Sequence, residues 1–221
     1  MPNWAYSTNI FVGNKEKLEE FEEKLCKIIA KPESRAWSLV ETCRGFGIDP
    51  RSVECKGDII SIKLHEDKVT YLKVDQDSAW FGTPDLWRAI IKAGGFDFEY
   101  SYYVEEPGMN TYVKYNDVHA LLPVWTLEHF ECSSGEISYS QQYYFYNDEE
   151  MLEYFNDTYG YAFASFEELK SEAEGVLARI STEEVAESEA ESENTEENPD
   201  LMFASEFAQM HFIQVIQDEK E

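Results

Sequence analysis

The hydrophobic period of this chain switches between two values within its first hundred residues, and that switching narrows the fold more than any other feature. Residues 8–13 (TNIFVG) form a short β-branched run closed by glycine, the signature of a strand. Asn14 then stands where a helix cap belongs, and Leu18, Phe21, Leu25, Ile28 and Ile29 recur mostly at steps of three and four until Pro32 stops them. A second short helix is expected over residues 34–44. From Val53 the period becomes two: residues 58–64 (DIISIKL) and 69–74 (VTYLKV) read as a β-hairpin around His65, Glu66 and Asp67. Thr83 and Pro84 open another helix, with Leu86, Ile90 and Ile91 on its buried side and Gly94-Gly95 ending it.

Alternation returns at residues 96–104 and 111–115, joined by the turn EEPGMN, in which Pro107-Gly108 suits a type II turn. Residues 121–130 and 136–146 are further strand candidates. Asn147 or Asp148 caps a short helix, and Ser165 with Glu168 forms a capping box for the helix through Ile180. This order implies an antiparallel sheet with helices packed on one face, an α+β sandwich.

After Ile180 the pattern stops. Residues 181–200 contain no Lys or Arg and almost nothing apolar, so they read as a disordered linker unable to offset chain entropy by burial. Residues 201–221 turn apolar again, and Leu201, Phe203, Phe207 and Met210 make a segment that will not stay solvated. It either returns to the core or docks on a partner. The expected domains are therefore 1–180, 181–200 and 201–221.

Charge bounds function. There are 45 acidic and 18 basic residues, for a formal net charge of -27. Such a surface repels the phosphate backbone and anionic lipid, and it attracts basic proteins by long-range steering. Acidity can also serve solubility alone. Cys26, Cys43, Cys55 and Cys132 include no CxxC pair, and residues 1–14 have neither the basic nor the apolar region of a secretory signal. No apolar run approaches the length of a membrane span. Together these imply a cytoplasmic protein with reduced thiols.

Catalytic signatures are absent: no GxSxG, P-loop, GxGxxG or HExxH occurs. His129 and Cys132 have ligand chemistry, but no second pair accompanies them. No cofactor, metal or catalytic residue is therefore assigned. The tyrosines Tyr100, Tyr102, Tyr103, Tyr139, Tyr143, Tyr144 and Tyr146 are read as sheet packing, with an exposed partner-binding face as the alternative.

Five stretches taken in order carry a resemblance. They are MPNWAYSTNIFVG with the helix KEKLEEFEEKL, VECKGDI at 53–59, DSAW at 77–80 and EEPGMNTY at 105–112. Across about residues 1–175 the chain resembles the YubB ferredoxin-like domain family of phages, plasmids and other mobile elements. The resemblance implies a ferredoxin-like α+β sandwich in a bacterial host and carries no activity with it. Ala5 stands where many relatives have Cys.

The leading expectation is a non-enzymatic acidic protein that binds a basic, nucleic-acid-handling host protein by imitating DNA charge, as a host-defence inhibitor would. Its contacts are expected at Trp80, Glu105, Glu106 and Asn110 and along Glu183, Glu184, Glu187, Glu189, Glu191 and Glu193. The alternatives are a ligand-binding or catalytic pocket around Trp80, Tyr102, Glu105 and Glu106, and a structural protein. Trp4 and Trp80 are expected as core anchors, and Glu105-Glu106 as a surface pair beside an exposed turn.

Overall fold

The computed structural model describes residues 4–30, 38–109, 111–133, 136–187 and 199–216. They form two compact units. The first comprises residues 1–122 and 214–221, and the second comprises residues 123–213. The expected single domain over 1–180 is therefore corrected. The periodicities of residues 121–180 are real, but their apolar faces close on one another and on residues 199–213, making a second core.

In the first unit, β1 (Trp4–Val12) leads to α1 (Lys15–Ile29) and α2 (Ser38–Gly45). The hairpin β2 (Gly57–Glu66) and β3 (Thr70–Ala79) follows, then α3 (Pro84–Gly94), β4 (Glu99–Glu106) and β5 (Thr111–Tyr115). The sheet order is β2-β3-β1-β4-β5, antiparallel throughout, and β9 (Gln214–Ile216) adds a parallel edge beside β5. Each helical crossover thus skips one strand: β1 and β2 flank β3, and β3 and β4 flank β1.

Local chemistry explains these bounds. Asn14 caps α1, its Oδ1 accepting from the amides of Glu16 at 2.9 Å and Lys17 at 3.3 Å. Gly95 closes α3 in the left-handed conformation at φ 67°, which glycine adopts without a Cβ penalty. Thr83 precedes α3 as expected but makes no side-chain cap bond. Its Oγ1 instead accepts from Gln76 Nε2 at 2.8 Å. Pro107–Met109 form a 3-10 turn, and Gly108 is not among the glycines of positive φ, so the type II turn is corrected.

Because strand side chains alternate, β1 has two distinct sides. Ala5 and Phe11 join Leu18, Phe21, Leu25, Leu39, Leu86, Trp87 and Ile90 from the three helices in one core, along with Leu72, Val74, Tyr100, Tyr102 and Val104. The tyrosines Tyr100, Tyr102 and Tyr115 stack in succession, with centroids 5.7 and 5.5 Å apart. Sheet packing is thus their role.

In the second unit, β6 (Trp125–Ser133) lies between β7 (Glu136–Phe145) and β8 (Met210–Phe212). The strand expected from 121 begins at Trp125. Asp117 Oδ1 instead takes the amides of Leu121 and Leu122 at 2.8 and 3.1 Å, holding them out of the ladder. The helices α4 (Asp148–Tyr159), α5 (Phe166–Glu187) and α6 (Pro199–Ala208) supply Met151, Phe155, Leu169, Ala173, Val176, Phe203 and Ala204 to its core. Helix α5 continues to Glu187, seven residues into the expected linker. Residues 188–198 lie outside the described residues. Residues 199–216 are built into the fold, the first of the two alternatives for this segment: Phe203 and Ala204 join the second core, and β9 pairs with β5.

Candidate functional site

The helix-facing side of the first sheet is apolar at one end and polar at the other. Register makes this visible. Phe11 lies between Leu72 and Tyr100, whereas Ser7 lies between Gln76 and Val104, and Ala5 pairs with Ser78. Gln76, Ser78 and Thr83 are all buried there. Trp87 Nε1 donates to Gln76 Oε1 at 2.7 Å, and Gln76 Nε2 donates onward to Thr83. A polar group placed in a core must be satisfied in this way, or it costs stability.

Two groups at this end are not satisfied. Ser7 Oγ and Glu106 Oε2 are buried without a hydrogen-bond partner, and among the described residues the other such atom is His65 Nε2. Glu106 is 2% exposed. One step beyond the Tyr6–Glu105 pairing, it falls beside Ala5 on the same side as Ser7, diagonal to it across β1 and β4. Such diagonal neighbours sit about 7–8 Å apart, within reach of a long side chain.

The segment from Trp80 to Thr83 arches over this end. A Cβ on Gly82 would lie 2.4 Å from Val104 Cγ2 and 2.8 Å from Ser7 Oγ, so only glycine lets the backbone pass so close. Ser78 Oγ donates to the Phe81 carbonyl at 2.6 Å. Trp80 has φ 74°, and the Phe81 amide reaches back to the Ala79 carbonyl at 3.0 Å. That is a γ-turn with positive central φ, a rare and strained form, at a bulky residue. Trp80 is 50% exposed and Phe81 52%, while Met109 and Trp4 are also exposed. The expectation that Trp4 and Trp80 anchor the core is corrected. Trp4 opens β1 on the parity opposite to Ala5 and Phe11, and Trp80 follows the last residue of β3, so both stand at the end of the sheet and outside the core.

Glu105 is also buried, on the opposite side of the sheet, where it accepts from the Tyr103 hydroxyl. The surface pair Glu105-Glu106 is therefore corrected: a strand places neighbours on opposite faces, and both are covered. Tyr102 shares the Glu106 side but stacks in the tyrosine row away from it. Asn110, Glu189, Glu191 and Glu193 lie outside the described residues. Glu183, Glu184 and Glu187 are on α5.

The far side carries a closed network that the sequence did not reveal. Asp75 accepts from Thr8 Oγ1 at 2.8 Å and Ser61 Oγ at 2.7 Å, and Lys73 Nζ stands 3.2 Å away. Burial disfavours its charge, but Ser61, Lys73, Thr8 and Tyr6 outweigh that and hold the carboxyl below its ordinary value. Burial pushes the Tyr6 phenol above its usual range. With every partner in place this network is structural. An open cleft of about 470 Å³ beside α3 has Arg88 and Lys92 on its wall, but Arg88 is already bound to Asp85 at 3.1 Å.

Cys26, Cys43 and Cys55 are free thiols, and burial first, then Cys55, pushes Cys43 up to about 12. Among the described residues no three His, Cys, Asp or Glu side chains are grouped to hold a metal ion, and no helix is long and apolar enough to cross a membrane. No family model, curated protein or solved structure matches this chain.

Proposed function

We propose that this protein is a non-enzymatic binding protein that engages a basic protein partner through a concentrated negative charge. The observation that carries this reading is where the charge lies once the two units are separated. Residues 123–213 hold 22 of the 45 acidic residues but only Lys170 and Arg179 of the 18 basic ones. Helix α4 alone exposes Asp148, Glu149, Glu150, Glu153 and Asp157, with no Lys or Arg in it. The acidic residues are split almost evenly but the basic ones are not, so the net negative charge is concentrated in one unit. Such a concentration steers a partner of opposite sign, whereas a solubility device has no reason to be so uneven.

The strand order β2-β3-β1-β4 with two skipping crossovers supports a ferredoxin-like arrangement for the first unit. The relationship to the YubB family, and with it the setting of a mobile element in the bacterial cytoplasm, is proposed on the sequence stretches at residues 1–13, 53–59, 77–80 and 105–112. A basic host protein that normally handles nucleic acid is the fitting partner, because its own site is shaped for dense negative charge.

Capture of bacterial proteins on the immobilised full chain tests this. The bound proteins should be basic, should elute as salt rises, and should be displaced by duplex DNA. Captured proteins that are neutral, or that hold through high salt, overturn it. The second reading, a ligand-binding pocket, is favoured by one observation, the buried and unpartnered Glu106 Oε2 at the end of β4.

A further inference from the structure

We infer that the end of the first sheet around Glu106 is a socket for a single cationic side chain, a lysine ammonium or arginine guanidinium presented by the basic partner. This rests on the reading above and names the contact that would make it specific. Glu106 Oε2 lies buried at the end of β4. A carboxylate oxygen withdrawn from water without a donor is unfavourable, and the chain supplies it none. Ser7 Oγ, on the same side and one diagonal away, lacks a partner too. Two oxygens on adjacent strands are satisfied together by one group carrying several N–H donors, which a lysine or arginine head provides.

The surroundings suit the rest of such a side chain. Its stem is apolar and its head is attracted to aromatic faces. Trp80 and Phe81 stand exposed on the segment that crosses Ser7, and Met109 stands exposed three residues past Glu106. Asp75 and Glu105 cannot serve in the same way, since Thr8, Ser61, Lys73 and Tyr103 already occupy them.

The test uses the isotope-labelled full chain and follows backbone amide and indole resonances during titration. The probes are Nα-acetyl-arginine amide, Nα-acetyl-lysine amide and the uncharged Nα-acetyl-citrulline amide. Saturable shifts should gather at Ser7, Gly82, Glu106 and the Trp80 indole with the charged probes alone. Glu106→Gln should weaken them at least about tenfold, as loss of a buried charge partner does, and Glu105→Gln should leave them in place.

Shifts spread along α1, α4 and α5, or equal shifts with citrulline, overturn the socket. So does a crystal structure in which a water bridging Ser7 and Glu106 persists at saturating probe. If the salt-dependent capture succeeds while these shifts are missing, the socket falls and the binding reading stands. If the shifts appear but capture fails, the site is a socket and the reading of its partner falls.

Discussion

Glu105 and Glu106 are adjacent in sequence and nearly equally buried, yet they face opposite sides of one sheet and differ completely in company. Glu105 accepts from Tyr103, while Glu106 Oε2 has no donor. The two should therefore respond differently to the same change. Glu105→Gln gives up a buried charge-assisted hydrogen bond and should cost about 1–3 kcal/mol. Glu106→Gln removes a buried charge without a partner and should leave stability within about 1 kcal/mol of the parent, or raise it. Urea unfolding of both variants at pH 7 checks this, and equal losses would contradict it.

Asp75 supplies the pH dependence. Its folded-state pKa is lowered, so the stability it contributes is complete above its unfolded value of about 3.9. That contribution is lost as pH falls below this value and through the folded one. Asp75→Asn should cost about 1–3 kcal/mol at pH 7. The penalty should stay level down to about pH 4.5 and shrink below it, as the parent carboxylate takes up its proton. Unfolding curves of the pair between pH 7 and 3 measure the difference, and a penalty unchanged at pH 3 rules out the charged network as its source.

Much of the first unit was legible because its signals are local. The stripe Leu18, Phe21, Leu25, Ile28 and the cap Asn14 set α1, and alternation marked β2 to β5. Glu106 is the instructive failure. Two acids beside Pro107 read as a solvated hairpin end, whereas the register of β4 against β1 puts them on opposite faces and both are buried there. The polar letters of β1 at Ser7 and Asn9, on the same parity as Phe11, were the available signal that this core turns polar toward one end. The second unit was illegible for another reason. Its core needs Phe203 to meet Phe155 and Leu169 across a long acidic interval, and no local pattern encodes that contact.

Phe203 thus tests whether the last segment is structural. It is fully buried, with its ring against those of Phe155, Tyr159 and Tyr161 at 6.0, 5.5 and 4.8 Å. Phe203→Ala should cost about 3–5 kcal/mol through lost burial and the cavity left behind. Amide exchange should locate the loss in α4 and α5, with α1 and β1 keeping their protection. Unchanged protection in α4 and α5 would mean that the segment is not part of that core.

Two neighbours in the Trp80–Thr83 segment carry opposite predictions. Trp80 holds φ 74° with its side chain half exposed, so it bears a left-handed penalty of about 1–2 kcal/mol that little burial offsets. Trp80→Gly relieves that penalty at some cost in chain entropy and should raise stability by up to about 1 kcal/mol. Gly82→Ala instead drives a Cβ to within 2.4 Å of Val104 Cγ2 and should cost about 1–3 kcal/mol. Thermal unfolding of the two variants reads both signs. Trp80 thus strains the fold at its own position while standing half exposed two residues before the glycine that crosses Ser7, a placement that suits contact better than folding. If Trp80→Gly is more stable than the parent and also loses the arginine-induced shifts at Glu106, stability and binding have been separated at one side chain. If Trp80→Gly is less stable, the tryptophan belongs to the fold after all, and the rim of the socket loses its strongest support.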